Sequence, residues 1–514
     1  MERRNFIKAG GALAALSGLG IGTAHGFIPA HNWDKYDFGS GPTVKDRLYQ
    51  GPFPQYSLEP VVPGSEVVMT TTPSKEIVPN YGMGLTVYIS GDLGPPRLPG
   101  ETLEKSIEDL VKLPFVQKMY IRPNWREMQN RPGRLDLPDY WKIIFDLSKR
   151  YDKRICTRIM LENPDGPELG MPDFLMDKVP YVKLRGEWNR ANRKDFHMPR
   201  YDNPAYQAAF RELVALLAEE LNGNPQVEYM DTFMYGFWGE GHTWPFQGNP
   251  FPDNMTAEKT FMKMFETQLE FFTKTPLVTN TQPDFSMVGN SELVDRTIRT
   301  HNWLRTDSIF IENEQIETLS NRPPWIATIS ETGLTTGASS EQLQIEEGVT
   351  KNENIMAHVI DTGANYWSVW NFHHISAKNV LSFYEKHSDS VDDIARRIGY
   401  RVRPSWIWYF EKEENPGLIL GLVNDGIAGV PGVLRITVLS DDGKVNVSGC
   451  LDPGYPLPSG VRQAMILLPK GTDWKGLKLK AELEVKGVLH PVRWACHQMT
   501  NKDDTLTLRS MKGM

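Results

Sequence analysis

The sequence predicts an α/β fold, a (β/α)8 TIM barrel followed by a C-terminal all-β sandwich domain. Three observations carry that expectation: short apolar runs alternate with amphipathic helical patterns from Tyr81 to Arg397, the helical signal stops at Gly399, and short strands with turn signals fill the remainder. At 514 residues the chain exceeds what one core accommodates, so two domains with appendages are expected.

Residues 1–26 read as a signal peptide. Arg3-Arg4-Asn5-Phe6-Ile7-Lys8 resembles the twin-arginine export signal, and the weakly apolar Ala9–Gly22 that follows is shorter than the roughly 20 residues of a membrane span. Thr23-Ala24-His25-Gly26 is small enough for signal cleavage, so the expected location is periplasmic or secreted, with no membrane anchor. Residues 27–80 are rich in Pro, Gly and Ser and read as a surface arm.

The barrel is expected over 81–398. Its strands are Met83–Ser90, Val116–Arg122, Arg154–Leu161, Val227–Gly236, Pro276–Asn280, Ser308–Glu312, Trp325–Ser330 and Asn365–Trp370. Helical patterns separate most of them: Leu103–Leu113, Pro138–Tyr151, Pro204–Leu221, Ala257–Phe272, Glu292–Trp303 and Ser340–Ile360, with a closing helix over Lys378–Arg397. Short apolar runs between helices are the pattern of buried parallel strands. A nucleotide-binding open sheet would need a Gly-rich strand-to-helix turn, and G-x-G-x-x-G does not occur.

Residues 399–514 read as the sandwich, with strands at Arg401–Phe410, Gly417–Asn424, Val433–Leu439, Val461–Leu468, Leu477–Val485 and Pro491–His497. Asn424-Asp425-Gly426 and Asp441-Asp442-Gly443 supply hairpin-type turns. Cys156 reads as a small buried hydrophobe, while Cys450 and Cys496 could pair. No Cys-x-x-Cys or His-x-x-x-His supports a zinc site, and no metal or cofactor is expected. A net charge of −8 without a basic run after the first residues gives no reason to expect a nucleic-acid partner. Oligomeric state is not legible.

Barrel chemistry sits at the C-terminal strand ends and the loops beyond them. The fourth strand runs out through Trp238-Gly239-Glu240-Gly241-His242, a carboxylate between glycines. The seventh ends Ile329-Ser330-Glu331, and the eighth ends Trp370-Asn371-Phe372-His373-His374. Two carboxyls across an aromatic-lined mouth can protonate a leaving oxygen and attack or activate water at an anomeric carbon. Each also has an ordinary reading, Glu240 as a surface acid and Glu331 as a turn residue. Arg122 and Arg158 could bind an acidic substrate group, hold a catalytic Glu ionised, or be purely structural. Phe174, Tyr181 and Trp188 lie in the long Glu162–Asp202 connection, which is expected to wall the cleft.

Three stretches carry a family resemblance: Tyr120–Arg126 through Pro132–Asp136, Pro204–Pro225 with Val227–Glu240, and the Trp-rich eighth strand. They resemble the (β/α)8 glycoside hydrolase superfamily with Glu on strands four and seven, in particular family-42 β-galactosidases. The barrel-plus-sandwich layout is similar to a group of bacterial exported proteins described as glycosidases. The resemblance spans roughly residues 81–510. It implies a retaining glycosidase with a carbohydrate substrate, Glu240 as acid/base and Glu331 as nucleophile. Substrate-binding residues would be Arg122, Trp125, Arg158, Trp238, His242, Asn280, Trp370, Asn371 and His373. One departure stands out: the superfamily places Asn before the acid/base Glu, whereas this chain has Gly239. That leaves a rival, a catalytically inactive carbohydrate-binding protein on the same fold. A metal-dependent hydrolase would need a ligand cluster the strand ends do not supply.

Overall fold

The computed structural model describes residues 66–90, 99–166, 169–281, 290–307, 318–333, 357, 359–370, 377–412, 415–498 and 500–509. The signal segment 1–26, most of the arm, Asn371 and His373, the expected strand 308–312 and most of the expected helix 340–360 lie outside them.

The chain enters with β1 (Glu66–Thr70) and then builds the barrel from β2 (Gly84–Ser90), β3 (Lys118–Ile121) and β4 (Arg154–Thr157). After β4 comes a hairpin of β5 (Tyr181–Trp188) and β6 (Arg193–Pro199), paired antiparallel. Then follow β7 (Val227–Asp231), β8 (Leu277–Asn280), β9 (Trp303–Thr306), β10 (Thr328–Gly333) and β11 (Tyr366–Trp370). All but β1 and the hairpin close into one eight-stranded parallel barrel, β2-β3-β4-β7-β8-β9-β10-β11. The TIM barrel is therefore present, with one strand moved: the sixth is Trp303–Thr306, not 308–312. The expected helix over Glu292–Trp303 stops at Arg299, and His301 takes a left-handed turn (φ 55°) that frees Trp303 to begin the strand.

Helices form where capping and apolar periodicity agree. Helix Pro204–Leu221 starts at Asn203, whose side chain accepts from the Ala205 and Tyr206 amides, with Pro204 in the first turn. It buries Phe210, Leu213, Val214, Leu217 and Leu221, a stripe at helical spacing. Thr102 and Asp253 cap helices Leu103–Val111 and Asn254–Phe271 in the same way.

Helix Ala377–Arg397 leads into the second domain: β12 (Val402–Lys412), β13 (Asn415–Asn424), β14 (Val433–Leu439), β15 (Asn446–Leu451), β16 (Val461–Leu467), β17 (Lys478–Val485), β18 (Val488–Val492) and β19 (Leu506–Thr507). One sheet is ordered β1-β12-β13-β16, the other β15-β14-β17-β18 with β19 on β17. Leu418, Leu420 and Leu422 of the first sheet and Leu434, Ile436, Val438, Leu479 and Leu483 of the second share one apolar core, as a sandwich requires. Sequence reading missed β15 and β19 and placed β18 at 491–497. Asp441-Asp442-Gly443 does turn the β14–β15 hairpin, but Asn424-Asp425-Gly426 lies on a crossover between sheets. β1 pairs antiparallel with β12, so the end of the supposed arm is a strand of the second domain. Cys450 and Cys496 are free thiols, which removes the pairing considered above.

The sandwich plugs the N-terminal end of the barrel. Tyr81, Tyr229, Trp303 and Tyr366 belong to the same cluster as the sandwich core. His490 of β18 stacks on Tyr81 at 3.5 Å, and its Nδ1 lies 3.3 Å from Arg154 Nη1. Buried Glu228 accepts from the Gly82 amide (2.9 Å) and the Tyr366 hydroxyl (2.6 Å) and pairs with Lys118 at 2.9 Å. This closed end leaves the C-terminal mouth for chemistry.

Candidate active site

The mouth is built on a tight loop after β7. Phe237 forms a parallel bridge with Glu162, and the Trp238 amide donates to the Glu162 carbonyl at 2.9 Å. The Phe237, Glu240 and Gly241 amides donate to the carbonyls of His242, Phe237 and Tyr235 at 2.9–3.0 Å, folding the loop onto itself. Such a path needs left-handed backbone: Gly236 (φ 82°), Trp238 (54°), Gly239 (77°) and Gly241 (83°). A Cβ on Gly236 would fall 2.0 Å from the His242 carbonyl oxygen. A Cβ on Gly239 would meet the Ile159 carbonyl at 3.0 Å and Arg158 Cδ at 3.1 Å. Gly239 thus suits its place: its φ favours glycine, and a Cβ would press on the Ile159 carbonyl and the Arg158 side chain.

Arg158, fully buried, is the hub. Its guanidinium reaches Glu240 Oε1 at 3.2 Å, Asp231 at 3.2 Å and Asp307 at 2.9 Å. Arg122 Nη1 lies 3.5 Å from the same Glu240 oxygen and sits over the Tyr88 ring at 5.1 Å. His242 Nε2 is 3.0 Å from Glu240 Oε2. Across the mouth, Glu331 accepts from the Tyr88 hydroxyl, lies 3.5 Å from Arg305 Nη2 and shares a side-chain hydrogen bond with Asp307. Arg305 Nε donates to Asp307 at 2.6 Å, and Arg305 and the Tyr120 hydroxyl both bond Asp231. Glu240 and Glu331 thus belong to a single network fed by β2, β3, β4, β7, β9 and β10.

The charges in that network are unequal. Burial pushes Glu331 up to about 8, and the negative charge of Asp307 adds to this; Arg305 opposes it, Glu240 again raises it and Arg122 opposes again. Burial also works against the Asp307 anion, yet Arg158 and Arg305 hold its carboxyl well below the usual range. The two shifts run in opposite directions, so within the Asp307–Glu331 pair the proton is favoured on Glu331.

Of the residues expected from sequence, the structure brings together Glu240, Glu331, Arg122, Arg158 and His242. Trp238 adjoins them, its ring 5.7 Å from that of His242. Asn280 is buried at the end of β8, paired in register with Arg305. Trp125 does not belong: it is fully buried in helix Trp125–Met128, its indole donating to Gln129 at 2.8 Å and packed edge-on against Tyr206. It lies just past the end of β3, enclosed by Gln129 and by Tyr206 of helix Pro204–Leu221, so it packs rather than lining the mouth. Trp370 closes β11, but its side chain is not among those described. Sequence reading missed Tyr88, Tyr120, Arg305 and Asp307. The available signal was Arg305-Thr306-Asp307, two polar groups at the strand spacing that puts them on one face.

Among the described residues no cluster of His, Cys, Asp and Glu is arranged to hold a metal ion, and no helix is long and apolar enough to cross a membrane. A cavity of about 230 Å³ lies between the loops after β3 and β4, lined by Asn124, Arg126, Glu127, Asn163 and Asp173 among others; neither Glu240 nor Glu331 lines it.

No family model matches the chain, and no curated protein matches it. Among solved structures, the β-amylase catalytic domain from Paenibacillus polymyxa is 11% identical with a TM-score of 0.39, covering 60% of this chain and 99% of that one. Endo-glycoceramidase II from Rhodococcus sp. is 10% identical (TM-score 0.37; 78% and 100%), and a β-galactosidase from Rahnella sp. R3 is 12% identical (TM-score 0.37; 65% and 59%). None of these similarities assigns a residue role or a substrate to this chain.

Proposed function

We propose that the chain is a glycoside hydrolase acting by a retaining two-carboxylate mechanism on an oligo- or polysaccharide. The observation that carries it is a pair of carboxyls at the barrel mouth, Glu331 buried and Glu240 partly exposed, held in one arginine-linked network. In this reading Glu331 donates its proton to the glycosidic oxygen as that bond breaks, and the Arg-paired Glu240 attacks the anomeric carbon. Glu331, now anionic, then takes a proton from water, which displaces Glu240 and returns the product with its configuration retained. This reverses the two roles that the superfamily resemblance implies, because burial and Asp307 favour the proton on Glu331.

Azide distinguishes the alternatives. With aryl glycosides of good leaving groups, Glu331→Ala plus azide is expected to yield a glycosyl azide of retained configuration, and Glu240→Ala plus azide one of inverted configuration. The opposite pattern would restore the resemblance's assignment. Wild-type chain that cleaves nothing in an aryl glycoside and polysaccharide panel would leave the inactive carbohydrate-binding reading.

We extend the proposal to export through the twin-arginine signal, which the Arg3-Arg4 pair and its spacing support. Replacing both arginines by lysine is expected to leave precursor in the cytoplasm by cell fractionation. Normal export of that variant would remove the periplasmic or secreted assignment.

A further inference from the structure

Beside the carboxyl network three tryptophans from two loops meet, Trp188 edge to face with each of the other two and Trp238 tilted against Trp244. Trp188 ends β5 of the hairpin, while Trp238 and Trp244 flank Glu240 on the loop after β7. Their ring centroids lie 6.0 Å (Trp188–Trp238), 5.9 Å (Trp188–Trp244) and 6.4 Å (Trp238–Trp244) apart. Edge-to-face packing fixes Trp188 against both of the others. The Trp188 indole is further pinned by its hydrogen bond to Asp165 at 2.8 Å. The cluster runs outward from the chemistry: Glu240 touches His242, His242 contacts Trp238, and the third ring, Trp244, is 50% exposed. A half-exposed tryptophan whose ring is braced by two others presents a rigid apolar face to solvent.

A second observation points the same way. Trp238 is 9% exposed, and its indole N–H has no hydrogen-bond acceptor among the described residues. A buried donor without a partner is uncommon, and here it lies next to the ring that leads out to Trp244. Apolar ring faces beside the carboxyl network match the C–H face of a pyranose.

We propose that Trp188, Trp238 and Trp244 form a sugar-binding wall that holds a pyranose unit of the substrate outside the bond being cleaved, with Trp244 as the platform. The substrate is accordingly an oligomer or polymer. This rests on the reading of the mouth as a carbohydrate site. It also explains the presence of the β5–β6 hairpin, which supplies Trp188 and through it orients both of the other rings.

The test is calorimetric titration of the full chain carrying Glu331→Gln with the hexasaccharides of β-1,4-linked glucose, mannose and galactose. At least one is expected to bind. Adding Trp244→Ala is expected to weaken it about tenfold, the scale of one well-placed aromatic contact. Trp244→Tyr should keep most of the affinity, and Met255→Ala, an exposed apolar residue on helix Asn254–Phe271 (62% exposed), should not change it. Absence of binding by all three sugars, or Trp244→Ala binding as tightly as its parent, would overturn the wall. The outcomes separate from the hydrolytic reading. Cleavage of aryl glycosides with no effect of Trp244→Ala on binding removes the wall alone. Binding through Trp244 with no cleavage by the wild-type chain removes hydrolysis alone.

Discussion

Glu331→Gln is expected to cut turnover by about 10²–10⁴-fold, the span of a lost general acid or base, while leaving the fold intact. Gln copies the shape and hydrogen bonding of a protonated carboxyl, so its amide can still donate to Asp307 where the Glu331 carboxyl does. What it cannot do is release a proton. The pH dependence follows from the same residue. With Glu331 held up to about 8, the acid form is present through neutrality and the upper limb of the wild-type activity profile should fall near that value. A nucleophilic Glu331 would instead give activity that rises toward about 8. Stability carries the same signature. A raised carboxyl pKa favours the folded state fully below the unfolded value near 4.5, and that contribution is lost as pH climbs to about 8. Wild type should therefore lose stability between those limits relative to Glu331→Gln, and denaturant titrations at pH 5 and pH 8 measure the difference. A gap that stays constant across that range would mean Glu331 is not the protonated member.

The second large effect is expected at Arg158. Replacement by Leu removes a side chain that touches Glu240, Asp231 and Asp307 together. Stripping one partner from a buried ion network typically costs about 3–5 kcal/mol, because the remaining charges stay desolvated without compensation. Much of that loss should return in the double variant with Asp307→Asn, which removes one of the orphaned anions. The urea midpoints of wild type, both single variants and the double variant form a cycle whose coupling term reports this directly. Additive losses would show that Arg158 acts by packing rather than by charge.

Barrel and sandwich were legible because their signals are local. Buried parallel strands appear as unbroken apolar runs, and helix Pro204–Leu221 announces both its ends through Asn203, Pro204 and its apolar stripe. The sixth strand was misplaced because Trp303-Leu304-Arg305-Thr306 continues the preceding helical periodicity, and only the left-handed turn at His301 separates them. The β5–β6 hairpin escaped notice for a different reason: β5 carries one fully buried residue, Leu184, and so little alternation. For the site, the two glutamates stood at recognisable strand ends. Their electrostatics did not, because Asp307, Arg305 and Tyr88 reach Glu331 from other strands, the nearest of them 24 positions away in the sequence. Spacing along one chain cannot report which carboxyl among several holds a proton; burial and opposing charge decide that.

β1 has a bearing on how the molecule comes into being. Thr71 donates to the Pro404 carbonyl across 333 positions of sequence, so the first described strand completes a sheet whose other members come after the whole barrel. Topologically the barrel is an insert within a β domain, with its entry and exit both at the sandwich. During synthesis β1 must wait, edge exposed, until β12 emerges, and closing so long a loop is an entropic burden that local helix–strand units do not share. The barrel can assemble from local units as they appear, and the β12–β13 and β14–β15 hairpins can do the same, but the first sheet is complete only when β1 meets β12 across the whole barrel.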